Sequence, residues 1–134
     1  MYKENDERLI CKHEGCNNLC PTSRTGPKGI IQHKQCHTCS KLLSKYGITN
    51  GDRLKLLNEQ NHKCAICQKE IALSGRFSKG DKDENSAVID HSHNTGKIRK
   101  LLCSSCNIGL GKFYESEENL ANAIKYLKSF KEQN

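Results

Sequence analysis

The feature that most constrains this chain is a pair of cysteine pairs, Cys64-x2-Cys67 and Cys103-x2-Cys106. Each C-x2-C is a tight turn that presents two sulfurs. Two such turns close a tetrahedron around one ion, with metal–sulfur distances of about 2.3 Å. Protein fills all four positions, so the site is closed and structural. Zinc is the expected ion, and iron in the same cage is its competitor. The clamp does not account for what accompanies it: Asp90-His91-Ser92-His93 lies between the pairs, and Asn107 follows the last cysteine directly.

A second cysteine set lies near the N-terminus: Cys11, Cys16, Cys20, Cys36 and Cys39, with His13, His33 and His37 among them. We read Cys11, Cys16, Cys36 and Cys39 as a second structural zinc site. In the alternative quartet Cys20 replaces Cys11. The three histidines are read as surface residues. Only 34% of the 134 residues are hydrophobic and none is tryptophan, so the core must be small and needs staples. Nine cysteines, an odd number, fit disulfide pairing poorly. Residues 1–10 are polar and charged, without the apolar stretch of a secretory signal, and no apolar run is long enough to span a membrane. A reducing cytoplasm is therefore expected, where close cysteine pairs favour metal. Such thiolate cages also carry charge. The chain has a formal charge of +7, which eight zinc-bound thiolates and two Zn²⁺ would lower to about +3. That balance supports a polyanionic partner, most simply nucleic acid, without deciding it.

The pattern predicts a small, zinc-stabilised α+β chain with an N-terminal zinc module over 1–47 and a second domain over 48–134. Pro21 to Gly29 reads as loop. Ser40 to Tyr46 extends the Cys36 knuckle as a short helix that Gly47 ends. A second helix runs from about Asn50 to Asn61, capped by Thr49 or Asn50. Phe77 to Ser86 reads as a mobile loop. Ala87 to His93 and Lys97 to Leu102 form a β-hairpin about an Asn94-Thr95-Gly96 turn. A helix follows from Cys103 to about Gly111. Ser116 caps an amphipathic helix over about Glu117 to Lys131, with Leu120, Ile124 and Leu127 in one stripe. That stripe is expected to pack within its own small domain, with a homodimer interface as its other use.

On a strand, Asp90 and Ser92 face one way and His91 and His93 the other. The zinc fixes where the Asn107 helix starts, and through Leu102-Cys103 it also tethers the hairpin. One carboxylate and one amide oxygen make a weak site for a hard ion such as Mg²⁺ or Mn²⁺, which a phosphodiester substrate would complete. A neutral histidine can take a proton from attacking water. Arg99, on the returning strand, can clamp a phosphate or stand solvated. The residues thus point to a nuclease, against a zinc-dependent DNA-binding or regulatory protein without catalysis.

The runs Cys64-Ala-Ile-Cys67, Asp90-His91-Ser92-His93, Thr95-Gly96-Lys97-Ile98-Arg99 and Leu101-Leu102-Cys103-Ser-Ser-Cys106-Asn107, with Gly109-Leu110-Gly111, resemble the recombination endonuclease VII family of the HNH, or ββα-metal, nucleases. Tyr46-Gly47-Ile48-Thr49 resembles the lead-in common in phage members, which extends the match over about residues 46–130. The resemblance implies Asp90 and Asn107 on Mg²⁺, His91 as general base and His93 near the scissile phosphate. It also implies DNA as substrate, with 5′-phosphate and 3′-hydroxyl ends. The founder of the family has an acidic residue three positions after the helix asparagine, where this chain has Leu110, and long helices that intertwine two subunits. Nicking or site-specific cleavage is therefore as well supported as junction resolution.

Overall fold

The computed structural model describes residues 9–24, 30–73 and 85–131. The chain divides into two compact units, Met1–Asn61 with His91–Ile98 and His62–Asp90 with Arg99–Asn134.

The first unit is built around sulfur. Cys11, Cys16, Cys20, Cys36 and Cys39 form a buried cluster. A two-stranded antiparallel ribbon, β1 (Thr22–Arg24) and β2 (Ile30–Gln32), separates the early cysteines from the late ones, with Ser23 opposite Ile31. The sequence reading had Thr22–Arg24 as loop. The short pairing to Ile30–Gln32 makes it strand, although Pro21 and the Gly-Pro-Lys-Gly run are turn chemistry. Positions 25–29 lie outside the described residues.

Helix α1 (His37–Tyr46) begins within the knuckle itself: the Cys36 sulfur accepts from the Cys39 N–H at 3.3 Å and serves as N-cap. Gly47, at φ 70°, ends it by donating to the Leu43 carbonyl, as the sequence indicated. Helix α2 (Asn50–Glu59) starts with a reciprocal capping box between Thr49 and Asp52. It buries Leu57. Its first turn lies so close to the Glu14–Gly15 turn that a Cβ at Gly51 would collide with the Glu14 carbonyl oxygen. Asn61 and His62 then take left-handed backbone at φ 51° and 58°, which ends the helix short of the expected Asn61.

A ββα sequence of elements follows, most of it in the second unit and the hairpin tip, His91–Ile98, in the first. Strands β3 (Val88–His91) and β4 (Ile98–Leu102) pair as a two-stranded sheet, and α3 (Ser104–Lys112) follows at once. Ile71, Ala87, Ile89, Leu101 and Leu102 are buried with Cys64 and Cys103. The Cys64 knuckle is stitched to β4 by the Ala65 N–H on the Leu101 carbonyl at 3.2 Å. The first strand stops at His91, two residues before the predicted end. Gly96, at φ 70°, donates to the Ser92 carbonyl at 2.7 Å, and the Ser92 hydroxyl accepts from the Thr95 N–H, so His93 belongs to the turn. Most of the expected mobile loop, residues 77–84, lies outside the described residues.

Helix α4 (Glu117–Ser129) has its Ser116 cap and acidic first turn as anticipated. Its apolar stripe does not pack as expected. Ile124 and Leu127 remain 54% and 67% exposed, and only Leu120 and Ala123 are half-buried.

The two turn glycines differ in what they do. Gly51→Ala is expected to cost about 1–3 kcal/mol through overpacking. Gly47→Ala meets nothing within 4 Å and costs only about 1 kcal/mol of left-handed backbone strain. Chemical denaturation of the zinc-loaded protein checks the order, and equal losses would contradict the close approach.

Candidate active site

Each unit holds one tetrad of sulfur among the described residues. Cys64, Cys67, Cys103 and Cys106 place their ligand atoms within 4.8 Å of one another, as do Cys11, Cys16, Cys36 and Cys39. A regular zinc–thiolate tetrahedron has sulfur–sulfur edges of about 3.8 Å. The Cys67–Cys103 and Cys16–Cys36 sulfurs are 3.8 Å and 3.7 Å apart. Both tetrads therefore fit zinc. Cys20 is buried beside the first tetrad but outside it, and burial together with the neighbouring Cys11, Cys36 and Cys16 sulfurs pushes its thiol up. His33 and His37 are exposed, and His13 instead pairs with Gln35 at 3.3 Å.

The thiols show why an ion is needed. Burial opposes ionisation of Cys64, yet N–H bonds from Cys103, Cys67 and Ile66 bring it down to about 6. Burial, then the neighbouring Cys103, Cys67 and Cys64 sulfurs, push Cys106 up to about 12. Without a cation the tetrad cannot hold four negative charges. The N-terminal tetrad repeats the pattern, with Cys11 lowered to about 6 and Cys39 raised by burial. Around that tetrad, Asn50 donates from its backbone to Cys39 at 3.3 Å and from its amide to Cys16 at 3.6 Å, and accepts from Arg53 at 2.7 Å. The first turn of α2 is thereby fastened to the sulfur cluster.

Cys103 caps α3, its sulfur accepting from the Cys106 N–H at 3.4 Å. Asn107 is the next residue, half-buried, its N–H bonded to the Cys103 carbonyl at 3.1 Å. Asp90 is buried on β3. Its two oxygens are held by Arg99 of β4, Nε donating to Oδ2 at 2.6 Å and Nη2 to Oδ1 at 2.9 Å. The same guanidinium reaches Glu115, Nη2 to Oε1 at 3.1 Å and Nη1 to Oε2 at 3.4 Å. Hydrogen bonds from Asp90, then Glu115, raise the Arg99 pKa above its ordinary value. Arg99, read from sequence as a phosphate clamp or a solvated residue, is engaged by these two carboxylates.

The histidines have a separate setting in the first unit. The His91 ring meets Tyr46, the last residue of α1, edge to face at a centroid distance of 5.5 Å, and lies 5.3 Å from the His93 ring. Lys45 Nζ stands 5.0 Å from the centre of the Tyr46 ring.

The recombination endonuclease VII family profile matches residues 39–129. The chain belongs to the recombination endonuclease VII family. The family segment runs from the last cysteine of the N-terminal tetrad through α4 and takes in every residue of the hairpin and α3. The Gene 59 protein of Mycobacterium phage L5 is 31% identical over 110 residues, covering 76% of this chain and 61% of that protein. The Gene 59 protein of Mycobacterium phage D29 is 31% identical over 111 residues, covering 77% and 61%. The chain thus spans about three-fifths of the length of these curated relatives. Among solved structures, the ββα-Me type II restriction endonuclease Hpy99I aligns with a TM-score of 0.41 and 26% identity, over 93% of this chain and 67% of that one.

Two residues at the site escaped the sequence reading. Tyr46 stood within the family lead-in, but nothing there indicated a contact with His91. Glu115 gave no signal, because its reach to Arg99 depends on a turn with left-handed backbone at Tyr114 and Glu115.

Metal analysis is expected to give two zinc ions per chain, one per tetrad, falling toward one in Cys106→Ser. Zinc added to the stripped, reduced protein near pH 7 should release protons, since Cys106 is protonated there until an ion binds. Retention of two zinc ions in the variant, or loading without proton release, would contradict the assignment.

Proposed function

We propose that this chain is a divalent-metal-dependent DNA endonuclease that hydrolyses phosphodiester bonds. The observation that carries the proposal is the buried Asp90 followed by His91 on β3, with Asn107 one residue beyond a tetrad cysteine on α3, in a member of the recombination endonuclease VII family. Oxygen donors of this kind suit a hard ion. A cation, the Arg99 guanidinium, already engages both Asp90 oxygens. Asn107 is half-buried, and its amide oxygen is a donor of the same hard type as the Asp90 carboxylate. Asp90 and Asn107 would hold Mg²⁺ or Mn²⁺, which when bound supplies positive charge to the phosphate and the leaving 3′-oxygen.

His91 takes the proton from the attacking water as general base. Tyr46 and His93, against its ring, limit the orientations the imidazole can adopt. His93 stands on the turn near the scissile phosphate. Arg99 fixes the Asp90 carboxylate rather than serving first as a phosphate clamp, since its fork is committed there. The products are a 5′-phosphate and a 3′-hydroxyl.

The N-terminal zinc module over 1–47 adds DNA contacts, and its basic residues favour the duplex backbone. One site cuts one strand, so a single copy nicks. Cleavage of both strands or of a junction needs a homodimer. Among the described residues no helix is long and apolar enough to cross a membrane. Action on DNA and the phage relatives support work inside the host cell.

His91→Ala is expected to lower plasmid nicking by about 10²–10⁴-fold, the usual contribution of a general base, with zinc content and circular dichroism unchanged. End-labelling of wild-type product should find the phosphate on the 5′ side. Full activity in the variant would remove His91 from its role, and 3′-phosphate ends would overturn the proposed line of attack. DNA binding with neither activity would favour a zinc-dependent regulatory protein.

A further inference from the structure

Arg99 is shared between two carboxylates, and this sharing bears on how Asp90 can serve a cation. A guanidinium on an isolated Asp90 would orient it well but would also cancel the negative charge that a divalent ion needs. Glu115 alters that count. With Asp90, Arg99 and Glu115 together the group is net −1, and without Glu115 it is neutral. Each carboxylate oxygen has two lone pairs. The Arg99 fork, with one bond to each Asp90 oxygen, leaves the second pair on each oxygen for another ligand.

We propose that Glu115 is a positioning residue of the site: it holds Arg99 against Asp90 and restores the negative charge that Arg99 would cancel, so that Asp90 is at once fixed in orientation and anionic enough for a divalent ion. The inference rests on the nuclease reading above and deepens it.

A second observation concerns how Glu115 arrives there. Tyr114 and Glu115 both adopt left-handed backbone, φ 55° and 54°, although neither is glycine. Such a conformation is uncommon outside glycine, and it persists where the surroundings fix it. Here the Glu115 N–H bonds the Leu110 carbonyl at 2.9 Å and the Tyr114 N–H bonds the Gly111 carbonyl at 3.0 Å, which turns the chain sharply off the end of α3. The turn delivers the Glu115 carboxylate to Arg99 instead of letting the chain run straight into α4. The bland alternative is a surface ion pair, which contributes little. Arg99 and Glu115 are 40% and 25% exposed, so their pairing adds little to stability by itself, but the Asp90 side chain that Arg99 also holds is only 10% exposed.

The test is Mn²⁺ affinity of the full, zinc-loaded chain without DNA, read from paramagnetic broadening of Asp90 and its neighbours in NMR spectra at fixed ionic strength. Glu115→Gln is expected to weaken Mn²⁺ binding about three- to tenfold, as for loss of one partly screened nearby charge. Glu115→Asp keeps the charge and should bind close to wild type, which separates charge from folding. Arg99→Met should bind at least as tightly as wild type, yet nick more slowly, because Asp90 is no longer held. The double variant Arg99→Met/Glu115→Gln returns the group to −1 and should recover wild-type affinity within about twofold while its kcat stays low. Mn²⁺ binding indifferent to Glu115→Gln, or a double variant as weak as Glu115→Gln alone, overturns the inference. In a wild-type protein that nicks DNA, either result leaves the nuclease reading standing. A wild-type protein that neither nicks DNA nor shows broadening at Asp90 overturns both.

Discussion

Four thiolates within a few ångströms of one another repel, and this chain assembles two such groups in 134 residues. Cys64 is brought down to about 6 by backbone N–H bonds, while burial first and the neighbouring sulfurs second push Cys106 up to about 12. Zinc, which both tetrads fit, would remove the repulsion and convert the cysteine knuckles into fixed points. A chain with so few large apolar residues has little else to organise it: among the described residues of the second unit the buried aliphatic side chains are Ile71, Ala87, Ile89, Leu101 and Leu102. Three elements start or end at a knuckle: α1 starts on Cys36, α3 starts on Cys103, and β4 runs directly into Cys103.

The consequence is a division of labour between sulfur and oxygen. In the proposed reaction the tetrads take no part, since protein would fill all four positions around each ion. In the second unit they fix Asn107 at the start of α3 and the stem of the hairpin that carries Asp90. In the first unit the N-terminal tetrad starts the helix whose last residue, Tyr46, meets the His91 ring. The same tetrad is fastened through Asn50 to α2. A metal-compatible tetrad thus stands behind the proposed general base, and another behind the proposed ligands of the catalytic ion.

Much of this was legible in the sequence because it is written in local spacing. The C-x2-C pairs, the Ser116 cap, the Gly47 stop and the Asp-His-Ser-His run each depend on residues within a few positions of one another. What was not legible depends on residues far apart in sequence. Arg99 was read as a phosphate clamp or a solvated residue, because its pairing with Glu115 requires a left-handed turn that no residue type in Phe113-Tyr-Glu-Ser116 demands. The α4 stripe looked like core because amphipathic spacing reports that a helix has an apolar face. It does not report whether the domain has room for that face. His93 was read as the end of the first strand of a hairpin, and here the miss is local: the Ser92 hydroxyl and Gly96 close the turn directly after His91.

The central claim is that zinc holds the fold and a separate, weaker divalent site does the chemistry. Supercoiled plasmid incubated with zinc-loaded protein across a range of Mg²⁺ concentrations, with bound zinc measured throughout, tests it most directly. The account predicts open-circular product that rises and saturates with Mg²⁺ while the zinc content stays constant. Strand breakage independent of added Mg²⁺ or Mn²⁺, or tight DNA binding without any breakage, would contradict it.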